Sequence, residues 1–144
     1  MIAWLLRLSD AVRDRGRKRT WPPDQATGRR GEDLAHRYLE RRGMTVVARN
    51  WQPSVGRGEI DLVAWEGERL VFVEVKARAR DDFSAPERNV DDKKRDAVTR
   101  AARNYSRRAG VDWERVRFDV VSVVFSDPPA ISHHRDAFRP NRTL

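Results

Sequence analysis

The run Val71-Phe72-Val73-Glu74-Val75-Lys76 constrains the fold more than any other part of the chain. Side chains along a strand alternate between faces, so Val71, Val73 and Val75 take one face and Phe72, Glu74 and Lys76 the other. Apolar residues on both faces mark a core strand. An acid and a base inside such a strand need a reason, because buried charge is costly unless it is paired or coordinated.

The preceding run, Ile60 to Trp65, has strand character too, and Glu66-Gly67-Glu68-Arg69 between them suits a hairpin turn. A two-residue turn at Gly67-Glu68 and a four-residue loop give the same register, with Glu66 beside Arg69. Asp61 then falls opposite Glu74 on the same face, and Glu59 falls opposite Lys76, where an ordinary ion pair is expected. Directly opposed residues have Cβ atoms roughly 4.5–5.5 Å apart, and like charges placed so are destabilising. A bound divalent cation reverses that sign.

The rest of the chain supplies the layers. Leu34, Ala35, Tyr38 and Leu39 mark one face of a helix ending at Gly43. Glu32 lies on that apolar stripe, three residues before Ala35; a helix N-terminal Glu favoured by the macrodipole is the plainer alternative. Thr45 to Ala48 reads as a strand and Pro53 to Gly58 as a loop. A second helix runs from about Asp91, a suitable N-cap, to Ala109, with Ala97, Val98, Ala101, Ala102 and Tyr105 inward and Lys93, Arg95, Arg100, Arg103 and Arg107 on its other faces. Phe118 to Phe125 is nearly all apolar, as a strand buried on both sides should be. The expected order is α-β-β-β-α-β, an α/β domain whose mixed sheet of four to five strands is flanked by helices. It spans residues 27–144, with an irregular tail from about 126 opened by Pro128-Pro129. Residues 1–26 read as a basic N-terminal extension: Trp4, Leu5, Leu8 and Val12 have helical spacing, Arg13 to Arg19 is basic, and Trp21-Pro22-Pro23 breaks a helix.

Lys and Arg number 30 against 22 Asp and Glu, a net charge of +8. That excess favours a polyanionic partner, since each base that meets a phosphate releases a counterion. It is carried mostly by Arg, which a GC-rich genome also produces. The absence of Cys excludes disulfides, thiolate metal sites and Cys nucleophiles, and three His are too few for a His-rich metal site. The apolar start, Met1 to Leu8, is far short of the ~20 residues of a membrane span and lacks a leading basic region, so no membrane association is expected and cytoplasm is the default. Two carboxylates and a Lys suit phosphodiester hydrolysis with Mg²⁺ or Mn²⁺. Hard oxygen ligands select such ions, Asp61 and Glu74 would hold one, and Lys76 would orient or deprotonate the attacking water, or steady the transition state. The alternative is a hairpin whose charges are solvated and cross-paired.

These residues carry a resemblance. Asp61 followed by Glu74-Val75-Lys76 resembles the D…(D/E)xK arrangement of restriction-endonuclease-like (PD-(D/E)xK) nucleases. More closely, the chain is similar to the uncharacterised bacterial YraN family over about residues 28–138. The matching segments are Gly31-Glu32 with Ala35, Tyr38, Leu39 and Gly43; Asn50; Gly58-Glu59-Ile60-Asp61-Leu62; Val71 through Arg78; Lys94, Ala102 and Tyr105; Arg117-Phe118-Asp119-Val120-Val121; and His134 with Ala137-Phe138. The resemblance implies a restriction-endonuclease-like core with helices on both sides of the sheet, and an endonuclease acting on DNA in preference to RNA, on branched or damaged structures in repair or recombination. By analogy with Holliday-junction resolvases, Glu32 joins Asp61 and Glu74 around the metal, Lys94 lies close enough to contact a phosphate, and two copies form a dimer. Lys93, Arg78 and Arg103 are the further candidates for nucleic-acid contacts. The competing reading is a non-catalytic nucleic-acid-binding module on the same fold, and a third is an adaptor binding a protein through the Met1 to Val12 helix.

Overall fold

Five strands form one sheet in the order β1-β2-β3-β4-β5. The computed structural model describes residues 23–79 and 92–139, with side chains from Thr27 and from Lys93 onward. Along the chain, α1 (Pro23–Arg41) leads to β1 (Thr45–Trp51), β2 (Ile60–Glu66) and β3 (Arg69–Ala79). Then come α2 (Asp92–Ala109), a single 3-10 turn (Trp113–Arg115), β4 (Val116–Phe125) and β5 (Ala130–His134). β1, β2 and β3 are antiparallel neighbours, β4 runs parallel to β3, and β5 returns antiparallel to β4. The α/β class, the mixed sheet and its two helices are as the sequence implied. Among the described residues, no helix is long and apolar enough to cross a membrane. The N-terminal helix at Met1 to Val12, the basic run after it and the Asp91 cap lie outside the described residues.

Alternation along the strands creates two cores. Leu62, Ala64, Val71, Val73, Val121 and Val123 face α1, where Ala35 and Leu39 meet them with Met44 and Val46. Ile60, Val63, Leu70, Phe72 and Phe118 face the other way, against Val98, Ala101 and Ala102 of α2. Each fully buried side chain of this size stabilises by roughly 1.5–3 kcal/mol, so the two layers together fix the sheet between the helices. Aromatic rings tie the second core across the sheet: Phe72 stacks on Phe118 at 5.6 Å, and Phe118 on Phe138 at 4.9 Å.

Three differences from the sequence reading have physical causes. First, the Trp21-Pro22-Pro23 break does not delay α1, which starts at Pro23; Pro fits the first helical turn, where its missing N–H has no partner to lose. Second, β1 continues to Trp51 through a bulge at Val47, where two residues oppose one. Without the extra residue Arg49 would oppose Asp61; with it Arg49 opposes Leu62 and its side chain turns to the α1 face. Third, the segment read as an irregular tail holds β5 and an anchored end. Ala137 N–H donates to the Phe118 carbonyl at 2.8 Å, and Phe138 is buried in the second core. Its five residues are short, partly polar and follow two prolines, so the alternation that marks a strand is weak there.

Candidate active site

The hairpin register is the expected one from Glu66↔Arg69 to Leu62↔Val73, and there the ladder stops. Beyond it the Val75 N–H donates to the Asp61 carboxylate at 2.8 Å. A side chain thus takes a backbone donor from the sheet, and the strands open into a cleft of about 540 Å³. Asp61, Glu74, Lys76, Arg78 and Lys94 line that cleft, and Glu32 reaches it from α1.

Glu74 is buried, 7% exposed, and its Oε1 holds two ammonium groups: Lys94 from α2 in direct contact, and Lys76 at 3.6 Å. The expected Glu59–Lys76 pair does not form. With pairing ended at Leu62, Lys76 turns to Glu74 two residues away on its own strand, and Glu59 accepts from Gln52 at 3.3 Å. Glu32 accepts from the Asn50 amide at 3.0 Å, with Arg49 at 3.8 Å; Arg49 itself binds Asp33. Asn50 has φ +49, a left-handed conformation that Asn tolerates better than most residues. That turn of backbone within β1 points its amide at Glu32.

Two glycines set how closely the helices approach. A Cβ on Gly31 would lie 2.6 Å from the Ala77 Cβ, so only glycine lets α1 rest on the end of β3 beside Glu32. A Cβ on Gly58 would meet the Ala97 carbonyl oxygen at 2.4 Å, and Gly58 has φ +114. The loop before Asp61 therefore lies directly against α2, the helix that carries Lys94.

The charges oppose one another at close range. Burial, with the neighbouring Glu74 carboxylate, pushes the Asp61 carboxyl up to about 7, against the Val75 hydrogen bond. Burial likewise raises Glu32, partly offset by Asn50 and Arg49. Burial lowers Lys76, as does the adjacent Lys94 charge, while Glu74 pulls the other way. For Lys94, burial is outweighed by its bond and attraction to Glu74, and its charge is favoured. Such opposed shifts gathered in one cleft are the pattern of a functional site.

Among the described residues, no three His, Asp or Glu side chains converge closely enough to form a ready-made metal cage. Lys94 supplies the cation that Glu74 needs. The donor set nonetheless fits a hard divalent ion: Mg²⁺ is held by one or two carboxylates and keeps several waters, and Asp61 beside Glu74 offers two carboxylates whose mutual repulsion a cation would relieve. Glu32 shares the cleft but gives one oxygen to Asn50.

Of the other expected contacts, Arg78 is buried and lines the cleft, while Lys93 is exposed at the start of α2 and lies outside the lining. Arg103 lies nine residues beyond Lys94, about 13 Å along the helix. Its guanidinium rests 4.4 Å from the centre of the Trp113 ring.

The sequence reading gave no role to Asp119, which is 0% exposed on β4, beside the edge strand β5. It accepts from Arg117 Nε and Nη2 at 2.8 Å each and from the Asp136 N–H at 3.0 Å, and it bonds His133 Nε2 at 2.8 Å. Arg117 and Arg135 also bind Glu66. Burial disfavours the Asp119 charge, but these bonds prevail and hold its carboxyl below the usual range. With every oxygen satisfied, this network joins β4, β5 and the hairpin turn as structure. The signal was an acid inside an apolar strand, the same one that singles out Glu74.

A model of the uncharacterised protein family UPF0102 matches residues 31–123. The chain is 54% identical over 138 residues to the UPF0102 protein of Solibacter usitatus strain Ellin6076, an alignment covering 96% of this chain and 100% of that protein. It is 45% identical over 115 residues to a UPF0102 protein of Rhodococcus jostii strain RHA1, covering 78% of this chain and 96% of the relative. A UPF0102 protein of Porphyromonas gingivalis strain W83 is 42% identical over 114 residues, covering 77% and 82%. The matched span contains Glu32, Asp61, Glu74, Lys76 and Lys94 of the cleft, and the chain belongs to the uncharacterised protein family UPF0102.

Proposed function

We propose that this protein is a metal-dependent endonuclease that hydrolyses phosphodiester bonds in DNA, built on a restriction-endonuclease-like core. The observation that carries the reading is the juxtaposition in one cleft of Asp61, Glu74, Lys76 and Lys94 at the point where β2 and β3 separate. Helices on both faces of a mixed sheet, and the D…ExK spacing on adjacent strands, support the same reading.

Asp61 and Glu74 would hold Mg²⁺ or Mn²⁺, with Glu32 at the edge of the cleft. When bound, the ion supplies a more acidic attacking water and a counter-charge for the phosphate. Lys76, in the uncharged form that burial favours, would orient the attacking water and take up its proton as the water oxygen bonds to phosphorus and the bond to the leaving oxygen breaks; the leaving oxygen would take a proton from solvent, and Lys76 would give its own back to solvent. Lys94 and Arg78 bind the phosphate oxygens as charged donors. Two copies related by symmetry would address both strands of a branched substrate.

A non-catalytic nucleic-acid-binding protein is the second reading, favoured by one observation: Lys94 already neutralises Glu74. The experiment is cleavage of labelled single-stranded, duplex, flapped and four-way DNA, and of RNA, with Mg²⁺, Mn²⁺ or EDTA. Lys76→Ala protein purified in parallel controls for contaminating nuclease. Metal-dependent cutting that is lost in Lys76→Ala supports the nuclease. Tight binding without cutting on every substrate would replace it with the binding module.

A further inference from the structure

A second cavity adjoins the cleft. It has a volume of about 480 Å³ and is lined by Arg30 of α1, Ala79 at the end of β3, Phe125 at the end of β4, and Ser126, Asp127 and Pro129 beyond it. Thr27 and Ala79 line both spaces, so the two are neighbours. Ala79 and Phe125 are paired in the parallel ladder, which places the cavity at the carboxyl ends of β3 and β4, where open α/β sheets offer binding crevices. Ala79 is three residues beyond Lys76, about 10 Å along the strand.

The cavity sets a cation beside an aromatic ring. Arg30 is exposed, and its guanidinium lies over the Phe125 ring at 5.6 Å from the centroid. Nucleobases that have left the helical stack settle on aromatic rings and on guanidinium planes, and the cavity offers one of each. Ser126 and Asp127 add polar groups at the rim for a base edge, and Arg30 stands two residues before Glu32.

Resting on the nuclease reading of the neighbouring cleft, we propose that this cavity receives the unstacked base of a nucleotide flanking the scissile phosphate. The substrate class is then DNA carrying an unpaired nucleotide, at a branch, bulge or lesion. Perfect duplex lacks a free base to offer.

The test measures binding in EDTA, where cutting does not enter. Three labelled duplexes are compared: fully paired, with one unpaired 2-aminopurine, and with an abasic residue at the unpaired position. Wild-type protein is expected to favour the 2-aminopurine duplex over the other two by about tenfold, the worth of one stacked base, with a change in 2-aminopurine emission. Arg30→Ala removes that preference and leaves affinity for the paired duplex nearly unchanged. Phe125→Leu, which keeps an apolar side chain in the neighbouring core, weakens the preference in the same direction. Equal affinity for the abasic and base-bearing duplexes overturns the proposal, as does an equal loss on all three duplexes in Arg30→Ala. Failure of the cleavage panel alone leaves this base preference standing, so the two readings fail separately.

Discussion

Replacing Asp61 by Asn keeps an oxygen to accept the Val75 N–H and removes the charge that the fold opposes. In the folded protein the Asp61 carboxyl holds its proton to about pH 7, against an ordinary value of 3.8. The folded state therefore binds this proton more tightly than the unfolded chain does. The cost of ionisation is absent in strong acid, grows as pH rises past 3.8, and is complete above about 7. At full ionisation it amounts to roughly 4 kcal/mol at most, and access of water from the cleft brings it to roughly 2–4 kcal/mol. Between pH 5 and pH 8.5 the stability advantage of Asp61→Asn over wild type should grow by roughly 2–3 kcal/mol. Urea unfolding of both proteins at the two pH values, in EDTA, measures it. An advantage that does not change with pH, or a variant less stable at pH 8.5, would refute the claim that Asp61 is a strained carboxylate.

Other consequences follow from the same geometry. Gly58→Ala combines a left-handed backbone with a clash on the Ala97 carbonyl, whereas Gly56→Ala, at φ +102, meets nothing within 4 Å. Both should lower thermal stability by about 1–2 kcal/mol for conformation, and Gly58→Ala by about 1–3 kcal/mol more for the clash. Asp119→Asn leaves Arg117 and His133 without their carboxylate and should cost about 3 kcal/mol near neutral pH. Because the folded value is lowered, that contribution is present above 3.8 and disappears as pH falls through the folded value, so urea midpoints of the two proteins should converge in acid. Asn50→Ala should destabilise by about 1–2 kcal/mol in thermal melts and Asn50→Gly by less, since Gly keeps the left-handed backbone while losing the amide on Glu32.

Much of the centre of this fold is legible from alternation. Pairing Glu66 with Arg69 sufficed to set the register as far as Leu62↔Val73 and to bring Asp61 to the Glu74 end of the hairpin. Helix stripes such as Val98, Ala101 and Ala102 announced the buried face of α2, and Gly43 marked the end of α1. What escaped depends on competition among groups that no spacing reveals. The ladder ends because a carboxylate, rather than a carbonyl, accepts from Val75. The bulge at Val47 sits in a Val-Val-Ala run that contains no turn residue, yet it decides which face Arg49 takes. Lys94 was legible as a base near the site, but its direct pairing with Glu74 requires the approach that Gly58 permits. β5 hid behind two prolines, and with it went the partners of Asp119.

The proposed metal site requires that a divalent cation reconcile the opposed carboxylates of Asp61 and Glu74, and Mn²⁺ titration followed by loss of the free-ion electron paramagnetic resonance signal tests this most directly. Wild-type protein at pH 8 is compared with Asp61→Asn and Glu74→Gln. Wild type should bind, and each variant should bind about tenfold or more weakly, a change of about 1.4 kcal/mol or more in binding energy. Equal affinity in all three proteins, or no binding by wild type at millimolar Mn²⁺, would contradict the proposed site.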